Sequence, residues 1–440
     1  MAEVAFSRRS YHPVSSLLSL SFNKTTPKQF APTTDVRFYQ TATPSTGRRP
    51  DIILIAIESF SAQFLKQIGE DGRPIMANYL ALAKESIEVE RFYAGSTFTL
   101  KGHESLLLGV TPSLRGPIAD MPGTNIFMSL PSALRSLGYN TVFYQAQPNL
   151  GFAHTDLLAA RSGFNRAKAM NEEFVGAEDV DSIWGWGLQD DVFYQKVIED
   201  LERNDLRDPQ IPVFAFLATV SNHQPFDELP RRYWTAYGNP DTIMKRYANS
   251  VRASDTFLGE CIARLKRHPR LQNAIVIVTA DHSFSFGSSG DVDVERSFAD
   301  VAFRIPLLIH CPDQLVPRQI TTGQFSQRDV ASTVLGLAGD VRLGRLFGRS
   351  ILDLDLPCSP AVFVQPYSGG YVCVVDWPLK YVYSVSRQKA ALVDISTDRA
   401  EVTNQIANLS PVARERFQSL VDSVLREAEI HSRTSFHAHP

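Results

Sequence analysis

The chain has 440 residues, 44% of them hydrophobic, which is enough to bury one large core or two smaller ones. Its formal net charge of -3 provides no excess of basic residues, so nucleic acid is not an expected partner. The four cysteines show no C-x-x-C spacing, so neither a zinc knuckle nor a disulfide scaffold is expected.

Residues 1–50 are rich in Thr, Ser, Pro and Arg, and are predicted to form an arm or linker outside the core. Their apolar patch is too short for a signal peptide. No stretch of the chain approaches the roughly 18 consecutive apolar residues that a spanning helix needs. The chain as written is therefore predicted to be soluble.

From Asp51 onward, apolar runs alternate with segments of helical periodicity. Strands are predicted at 52–57, 141–146, 213–220, 274–280 and 305–310. Helices are predicted within 73–86, 129–138, 190–203 and 247–268, where apolar residues recur three and four positions apart. Uniformly apolar strands separated by helices indicate an α/β fold, with a mostly parallel central sheet covered by helices on both faces.

After about residue 356 the pattern changes to the alternation that is typical of antiparallel strands. A helix is predicted within 410–432. The sequence therefore predicts three parts: the arm at 1–50, an α/β domain at 51–356, and a small C-terminal β-rich subdomain with a terminal helix at 357–440.

Polar side chains follow three of the predicted strands. Glu58 ends the first strand, Asn222 and His223 follow another, and Asp281 and His282 follow a third. Ligands of parallel α/β sheets bind just beyond the carboxyl ends of the strands, so we expect these groups to converge.

A loop with three hydroxyl residues, Ser96, Thr97 and Thr99, precedes a segment predicted to be helical from about Gly102. Two carboxylates and an imidazole form a site that suits Zn²⁺ or Mn²⁺. A hydroxyl added as the fourth ligand would lose proton affinity beside the cation. At a helix start, free N–H groups would also favour an incoming phosphate. The pattern thus predicts a metal-activated serine or threonine nucleophile for phosphoryl chemistry.

Each of these groups has a simpler interpretation when taken alone. Glu58 could be a carboxylate at a helix N-terminus, Asp281 and His282 a polar loop pair, and His223 a turn cap. The loop hydroxyls could be ordinary loop hydrogen-bonders. Their shared position at the edge of a parallel sheet favours the joint interpretation.

Residues 50–356 resemble the lipoteichoic acid synthase and phosphoglycerol transferase branch of the alkaline phosphatase and sulfatase superfamily. The resemblance covers roughly 300 residues in the family's order, which makes it more specific than any single motif. It rests on the segments PDIILIAIESF, TLKGHESLLLGVTP, SLPSALRSLGYNTVFYQ, FLATVSNHQPF, VIVTADHS, RIPLLIHCP and SQRDVASTVLGLAG…FGRSIL.

The resemblance implies that Glu58, Asp281 and His282 bind one divalent metal ion, Mn²⁺ or Zn²⁺, with Mg²⁺ as an alternative. It implies a threonine as fourth ligand and nucleophile, three residues before a small residue that opens a helix, and Thr99 has this spacing to Gly102. Ser96 and Thr97 are the alternatives for that role. His223 matches a family histidine that contacts the substrate phosphate.

The chain departs from the family pattern in the substrate-binding part. Tyr144 lies near the position of a family histidine, and LGFAHTD stands around the family's Trp-x-Arg element, with His154 as a possible substitute. The cysteine pattern of phosphoethanolamine transferases is absent, and the nucleophile loop has no C/S-x-P-x-R sulfatase motif. The family's N-terminal membrane helices are missing, so the chain is either a catalytic domain separated from its anchor or a soluble relative.

The resemblance implies an enzyme that moves a phosphoglycerol-type group from a phospholipid donor, such as phosphatidylglycerol, to a glycan or polymer acceptor through a phospho-threonine. An extracytoplasmic location and membrane association of the full-length protein follow from the same resemblance. Two other classes stay open. One is a soluble phosphodiesterase, phosphatase or sulfatase-like hydrolase. The other is a non-catalytic binding module, which the intact set of site residues disfavours.

Overall fold

The computed structural model describes eleven stretches of the chain: 48–114, 116–117, 128–148, 150–151, 154–169, 177–284, 298–312, 314–340, 348–355, 358–367 and 369–433. Within these stretches, only the backbone is described at 177, 178, 180 and 427–433. Most of the predicted arm, 1–47, lies outside them. The described residues belong to one compact unit that runs from Gln40 to Pro440. The boundary at 356/357 stays a prediction.

Half of the sixteen strands in the described residues build one central sheet. The strands are β1 Ile52–Ile57, β2 Ile87–Val89, β3 Phe92–Tyr93, β4 Asn140–Gln145, β5 Arg166–Lys168, β6 Ile183–Trp184, β7 Gly187–Leu188, β8 Val213–Ala218, β9 Ile275–Ala280, β10 Leu308–His310, β11 Arg318–Ile320, β12 Phe325–Ser326, β13 Ala361–Gln365, β14 Tyr371–Asp376, β15 Leu379–Ser384 and β16 Lys389–Asp394.

The central sheet has eight strands in the order β11-β2-β10-β9-β1-β8-β4-β5. Pairing is parallel from β9 to β5 and between β11 and β2, and only β10 runs antiparallel to its neighbours. The central strand β1 pairs with β8 on one side and β9 on the other, so the carboxyl ends of these three strands meet at one edge. All three are buried at every residue, so both faces of the sheet are covered.

The helices are α1 Ala77–Ala83, α2 Thr99–Leu108, α3 Leu130–Ser136, α4 Thr155–Arg161, α5 Asp190–Asn204, α6 Ile243–Arg267, α7 Arg328–Leu337 and α8 Pro411–Arg433. Six of them pack in two groups. In one group α6 contacts both α1 and α5, and in the other α2, α3 and α7 contact one another. Within the described stretches, no helix has both the length and the hydropathy needed to cross a membrane.

The strands β13–β16 form a separate four-stranded antiparallel sheet. One face packs on Tyr93 and Phe303 of the main body, through Phe363. The other face packs on α8, through Phe417 and Val421. The predicted fold class, an α/β protein with a small C-terminal β sheet, is confirmed.

All five predicted strands are present, with ends displaced by no more than three residues. The helix predicted from about Gly102 instead begins at Thr99. That prediction was wrong because the residue before the helix, Phe98, has no side chain that can cap it, so the sequence carries no start signal there.

Candidate active site

The candidate metal centre lies at the carboxyl edge of β1 and β9. Glu58, Asp281 and His282 each offer a ligand atom there, and these atoms all lie within 4.8 Å of one another. The His282 Nε2 atom is 3.5 Å from Glu58 Oε1 and 3.6 Å from Asp281 Oδ2. All three side chains are buried. The structure thus brings together the three residues predicted to bind a metal.

Hydrogen bonds to neighbouring backbone groups hold the His282 ring and the Asp281 carboxylate in orientations that suit metal binding. The His282 Nδ1–H donates to the Ser283 carbonyl at 2.8 Å, because a carbonyl oxygen can only accept. The Nε2 atom therefore keeps its lone pair directed at the carboxylates. The Asp281 Oδ1 atom accepts from the backbone N–H groups of Ser59 and His282.

One buried oxygen of each carboxylate has no hydrogen-bond partner among the described residues: Glu58 Oε2 and Asp281 Oδ2. Unpartnered buried carboxylate oxygens are costly unless a cation compensates them. Burial and the neighbouring Asp281 charge raise the pKa of Glu58 well above its ordinary value. Two carboxylate oxygens and an imidazole nitrogen in this state fit a divalent cation.

The turn that follows Glu58 is strained and is held from several sides. Ser59 has a φ of 49°, in the left-handed region that is rare for residues other than glycine. Its carbonyl accepts hydrogen bonds from Tyr247 Oη at 2.5 Å and from Asn222 Nδ2 at 3.0 Å. Its hydroxyl donates to Glu58 Oε1 at 2.6 Å. The strain is thus maintained by contacts that also fix the metal ligand.

Thr99 is the first residue of α2, and its Oγ1 atom lies 3.3 Å from His282 Nε2. Of the three candidate hydroxyls, the described contacts bring this one to the metal cluster. Thr97 is buried and donates to the side chain of Gln365 at 3.3 Å, whereas Ser96 is fully buried with its hydroxyl unpartnered. Thr99 thus places its hydroxyl and the N-terminal end of α2 beside the cluster.

Helix α2 lies directly against the end of β9. A β carbon at Gly102 would overlap the carbonyl oxygen of Asp281. Gln327 secures the same junction, since its Nε2 donates to the carbonyls of Ala280 and Asp281 and its Oε1 accepts from the N–H of Gly95. One buried amide thus joins the loop before Thr99 to the strand that ends at the candidate metal ligand Asp281.

His223 lies on a loop that is fastened to the same edge. Asn222 donates to the carbonyls of Glu58 and Ser59, and Asp190 accepts from the N–H groups of Val220 and Ser221. The His223 Nδ1–H donates to the Gln224 carbonyl at 2.7 Å. Burial lowers the pKa of His223 below its ordinary value, against the opposing effects of that hydrogen bond and of Asp281.

Two predicted substrate-binding residues are not brought to this cluster by the described contacts. Tyr144 is fully buried, its hydroxyl donates to Asp200 at 2.6 Å, and Arg166 donates to it at 3.1 Å. His154 is exposed at the start of α4, with a left-handed φ of 60°. Their substrate-binding roles stay predictions, and the buried position of the Tyr144 hydroxyl does not support its role.

The sequence reasoning missed Gln327, Gln365 and Trp186, whose contacts shape the site. Buried amides such as Gln327 carry no periodic signal, because they act through pairings that are distant in sequence. The WGWG stretch at 184–187 was a visible signal, since paired Trp and Gly residues mark a tight turn that presents aromatic rings.

A parallel α/β sheet with a buried carboxylate and imidazole cluster at its carboxyl edge, and a hydroxyl at the adjacent helix start, is an arrangement that suits a metal-dependent enzyme. The chain belongs to the sulfatase family, whose model matches residues 50–341. Metal dependence is a property of the wider superfamily, and the cluster supplies a suitable ligand set.

Proteins with similar sequences indicate which branch of the superfamily the chain resembles. The chain is similar to phosphoglycerol transferase I of Xanthomonas euvesicatoria pv. vesicatoria, with 25% identity over 361 residues, 79% of this chain and 48% of that protein. It is also similar to the lipoteichoic acid synthase-like protein YvgJ of Bacillus subtilis, with 23% identity over 69% of this chain and 50% of that protein. The chain thus spans about half the length of these relatives.

Among solved structures, the lipoteichoic acid synthase LtaP from Listeria monocytogenes superposes with a TM-score of 0.72 at 22% identity, covering 90% of this chain and 95% of that one. An alkaline phosphatase superfamily protein from Vibrio parahaemolyticus gives the same TM-score and identity, over 89% and 90% of the two chains. The predicted superfamily branch and the prediction of an enzyme are confirmed.

Proposed function

We propose that this protein transfers a phosphoglycerol-type group from a phospholipid donor, such as phosphatidylglycerol, to a hydroxyl of a glycan or polymer acceptor. The observation that carries the proposal is the position of Thr99, with its hydroxyl 3.3 Å from His282 Nε2, at a helix start beside two unpartnered carboxylate oxygens. The names of the phosphoglycerol transferase and lipoteichoic acid synthase relatives support the choice of group.

Glu58, Asp281 and His282, with Thr99 as the fourth ligand, would hold one divalent ion, Mn²⁺ or Zn²⁺, with Mg²⁺ as the alternative. Such an ion supplies positive charge that favours the deprotonated Thr99 hydroxyl and offsets charge on the phosphoryl oxygens. The N-terminal end of α2, where the helix dipole favours negative charge, would stabilise the same oxygens. The buried surroundings strengthen these interactions.

In the first step the Thr99 oxygen attacks the phosphorus, and the bond from phosphorus to the lipid alcohol breaks. Diacylglycerol leaves with the proton that Thr99 gives up, and phosphoglycerol stays on Thr99. In the second step the acceptor oxygen attacks the same phosphorus, the bond from phosphorus to Thr99 breaks, and the proton that the acceptor loses is returned to the Thr99 oxygen. His223 would take the acceptor proton on Nε2, because its Nδ1 already donates to Gln224.

Because the proposed donor is a membrane lipid and the acceptor an envelope glycan, we place this activity on the extracytoplasmic side of a membrane. Water in place of the acceptor would turn the same site into a phosphodiesterase. The two activities are separated by supplying a labelled donor with and without a sugar acceptor, and measuring glycerol phosphate released to water against label on the sugar.

The decisive experiment traps the intermediate. Incubation with donor, acid quenching and peptide mass analysis should place phosphoglycerol or bare phosphate on Thr99. Thr99→Ala should lose both adduct and activity, whereas the matched variant Thr97→Ala should keep a measurable fraction of each, because Thr97 bonds to Gln365. An adduct on Thr97 or Ser96 would move the nucleophile along the loop. Full activity in Thr99→Ala would sink the mechanism.

A further inference from the structure

A short hairpin places an indole ring against His223. The strands β6 and β7 pair through Ile183 with Leu188 and through Trp184 with Gly187, and Gly185 has a left-handed φ of 61° that lets the chain reverse. Trp186 therefore lies in the turn. Its ring centroid is 4.4 Å from that of His223, with 40° between the ring planes.

The hairpin is anchored to the central sheet. The Leu188 N–H donates to the Ala146 carbonyl just beyond β4, at 2.9 Å. A β carbon at Gly187 would overlap that same carbonyl, so only glycine permits this close approach. The Trp184 Nε1–H donates to Gln189 Oε1 at 2.6 Å. The turn that carries Trp186 is thus held at a fixed place relative to the edge of the sheet.

Trp186 and His223 share one acceptor. The indole Nε1–H of Trp186 donates to the Gln224 carbonyl at 3.0 Å, and His223 Nδ1 bonds to that carbonyl at 2.7 Å. A carbonyl oxygen has two lone pairs, so it can accept both. The indole therefore acts on His223 in two ways: its ring packs against the imidazole, and its N–H bonds to the Gln224 carbonyl, which accepts from His223 Nδ1–H.

We propose that Trp186 is a positioning residue for the transfer reaction, holding His223 in the Nδ1–H tautomer with Nε2 directed at the incoming acceptor. This proposal rests on the proposed role of His223 as the proton acceptor in the second step. The base is effective only when its lone pair points at the hydroxyl that it deprotonates. Trp186 acts through His223 and needs no contact with the reacting atoms.

The test uses two variants that separate the two contacts. Trp186→Ala removes both ring and N–H, and Trp186→Phe keeps a ring but loses the N–H. Trp234→Phe is the matched control, because Trp234 also donates its indole N–H to a backbone carbonyl, that of Leu229, at 3.0 Å. No ring contact joins Trp234 to His223 among the described residues.

The first readout is independent of substrate. ¹⁵N-labelled histidine spectra of the enzyme loaded with Zn²⁺ or Mg²⁺, with the His223 signals assigned by His223→Gln, report the tautomer. The parent and Trp234→Phe should show Nδ1–H alone, Trp186→Ala a mixture of both tautomers, and Trp186→Phe an intermediate state. If Trp186→Ala does not fold, Trp186→Phe decides, and an unchanged tautomer in that variant overturns the proposal.

The second readout is turnover. Trp186→Ala should lower the kcat of transfer roughly tenfold, as expected for loss of one positioning hydrogen bond and its ring contact, with little change in the KM for donor. Metal content should equal that of the parent. Parent-like kcat together with a parent-like tautomer overturns the proposal. A tautomer change in a protein without transferase activity upholds the positioning role and rejects the proposed function instead.

Discussion

Gly102 touches the backbone of Asp281, so the helix that begins with the proposed nucleophile rests directly on the strand end that carries a metal ligand. A side chain at residue 102 would have to displace a carbonyl oxygen, which belongs to the backbone and cannot rotate away. The distance between Thr99 and the metal cluster is therefore set by the absence of a β carbon three residues later.

Gly102→Ala should push α2 away from β9 and so impair activity. Overpacking of this kind costs about 1–3 kcal/mol of the free energy of unfolding, and a small misplacement of the nucleophile can lower the rate roughly a hundredfold. Thermal unfolding and turnover measure the two effects.

The matched control is Gly336→Ala in α7, where an added β carbon would meet no described atom within 4 Å outside its own helix backbone. That variant should gain about 0.5–1 kcal/mol, because alanine favours the helix, and should keep its activity. Equal behaviour of the two variants would contradict the tight contact at Gly102.

Loss of any of the three cluster residues should abolish metal retention and leave the fold largely intact. Glu58→Gln, Asp281→Asn and His282→Ala each remove a ligand atom that no other described side chain in the cluster replaces. Metal content after gel filtration measures the effect. Asp255→Asn is the control, since Asp255 is also a buried carboxylate but accepts from the N–H groups of Asn78 and Tyr79. Unchanged metal content in two of the three cluster variants would refute the assignment.

His223→Ala should lose turnover and keep its metal. General-base catalysis contributes on the order of 10²–10⁴ in rate, and the described contacts of His223 are with Gln224 and Trp186 rather than with the cluster. Parallel measurement of kcat and metal content distinguishes the roles. Metal loss in this variant would place His223 in the coordination sphere.

The buried, neutral imidazole of His103 should make the free energy of unfolding decrease in mild acid. Burial lowers the pKa of its imidazole to about 4, from an ordinary value of 6.5. Between these values the unfolded chain binds a proton that the folded protein does not, so the free energy of unfolding decreases as pH falls from 6.5 to 4. The loss amounts to at most about 3 kcal/mol.

His103→Phe should remove this component, because phenylalanine can preserve the edge contacts with Phe143 and Phe216 and does not titrate. Urea unfolding at several pH values gives the slope directly. If the variant and the parent lose stability equally between pH 6.5 and 4, the titrating group lies elsewhere.

The strands β1, β8 and β9 could be predicted because their apolar runs are long and are interrupted by polar residues only at their ends. The same ends revealed Glu58, Asp281 and His282, since parallel strands deliver their carboxyl termini to one edge. The start of α2 could not be predicted, because Phe98 provides no side-chain cap. The antiparallel direction of β10 could not be predicted either, because a strand of three residues is too short to show a pattern of direction in its sequence.

Contacts between residues far apart in sequence were also beyond sequence reasoning. Periodicity reports which face of an element is buried, but not which partner covers it. The pairs Trp186 with His223 and Thr97 with Gln365 depend on how loops meet after the sheet has formed. The first pair is the basis of the proposed tautomer control, and the second distinguishes Thr97 from Thr99, although neither pair leaves a pattern in the sequence.

The C-terminal sheet contacts the loop before Thr99, but it is translated after all three candidate metal ligands. The Val364 N–H donates to the Gly95 carbonyl at 2.9 Å, and Gln365 accepts from Thr97 across 268 residues of sequence. During synthesis, all three candidate metal ligands have been made once His282 is translated, but the strand that contacts Gly95 and Thr97 has not. A nascent chain that stops before β13 would therefore carry the candidate ligands together with an unsupported loop before Thr99, and we expect activity only after β13 has been made.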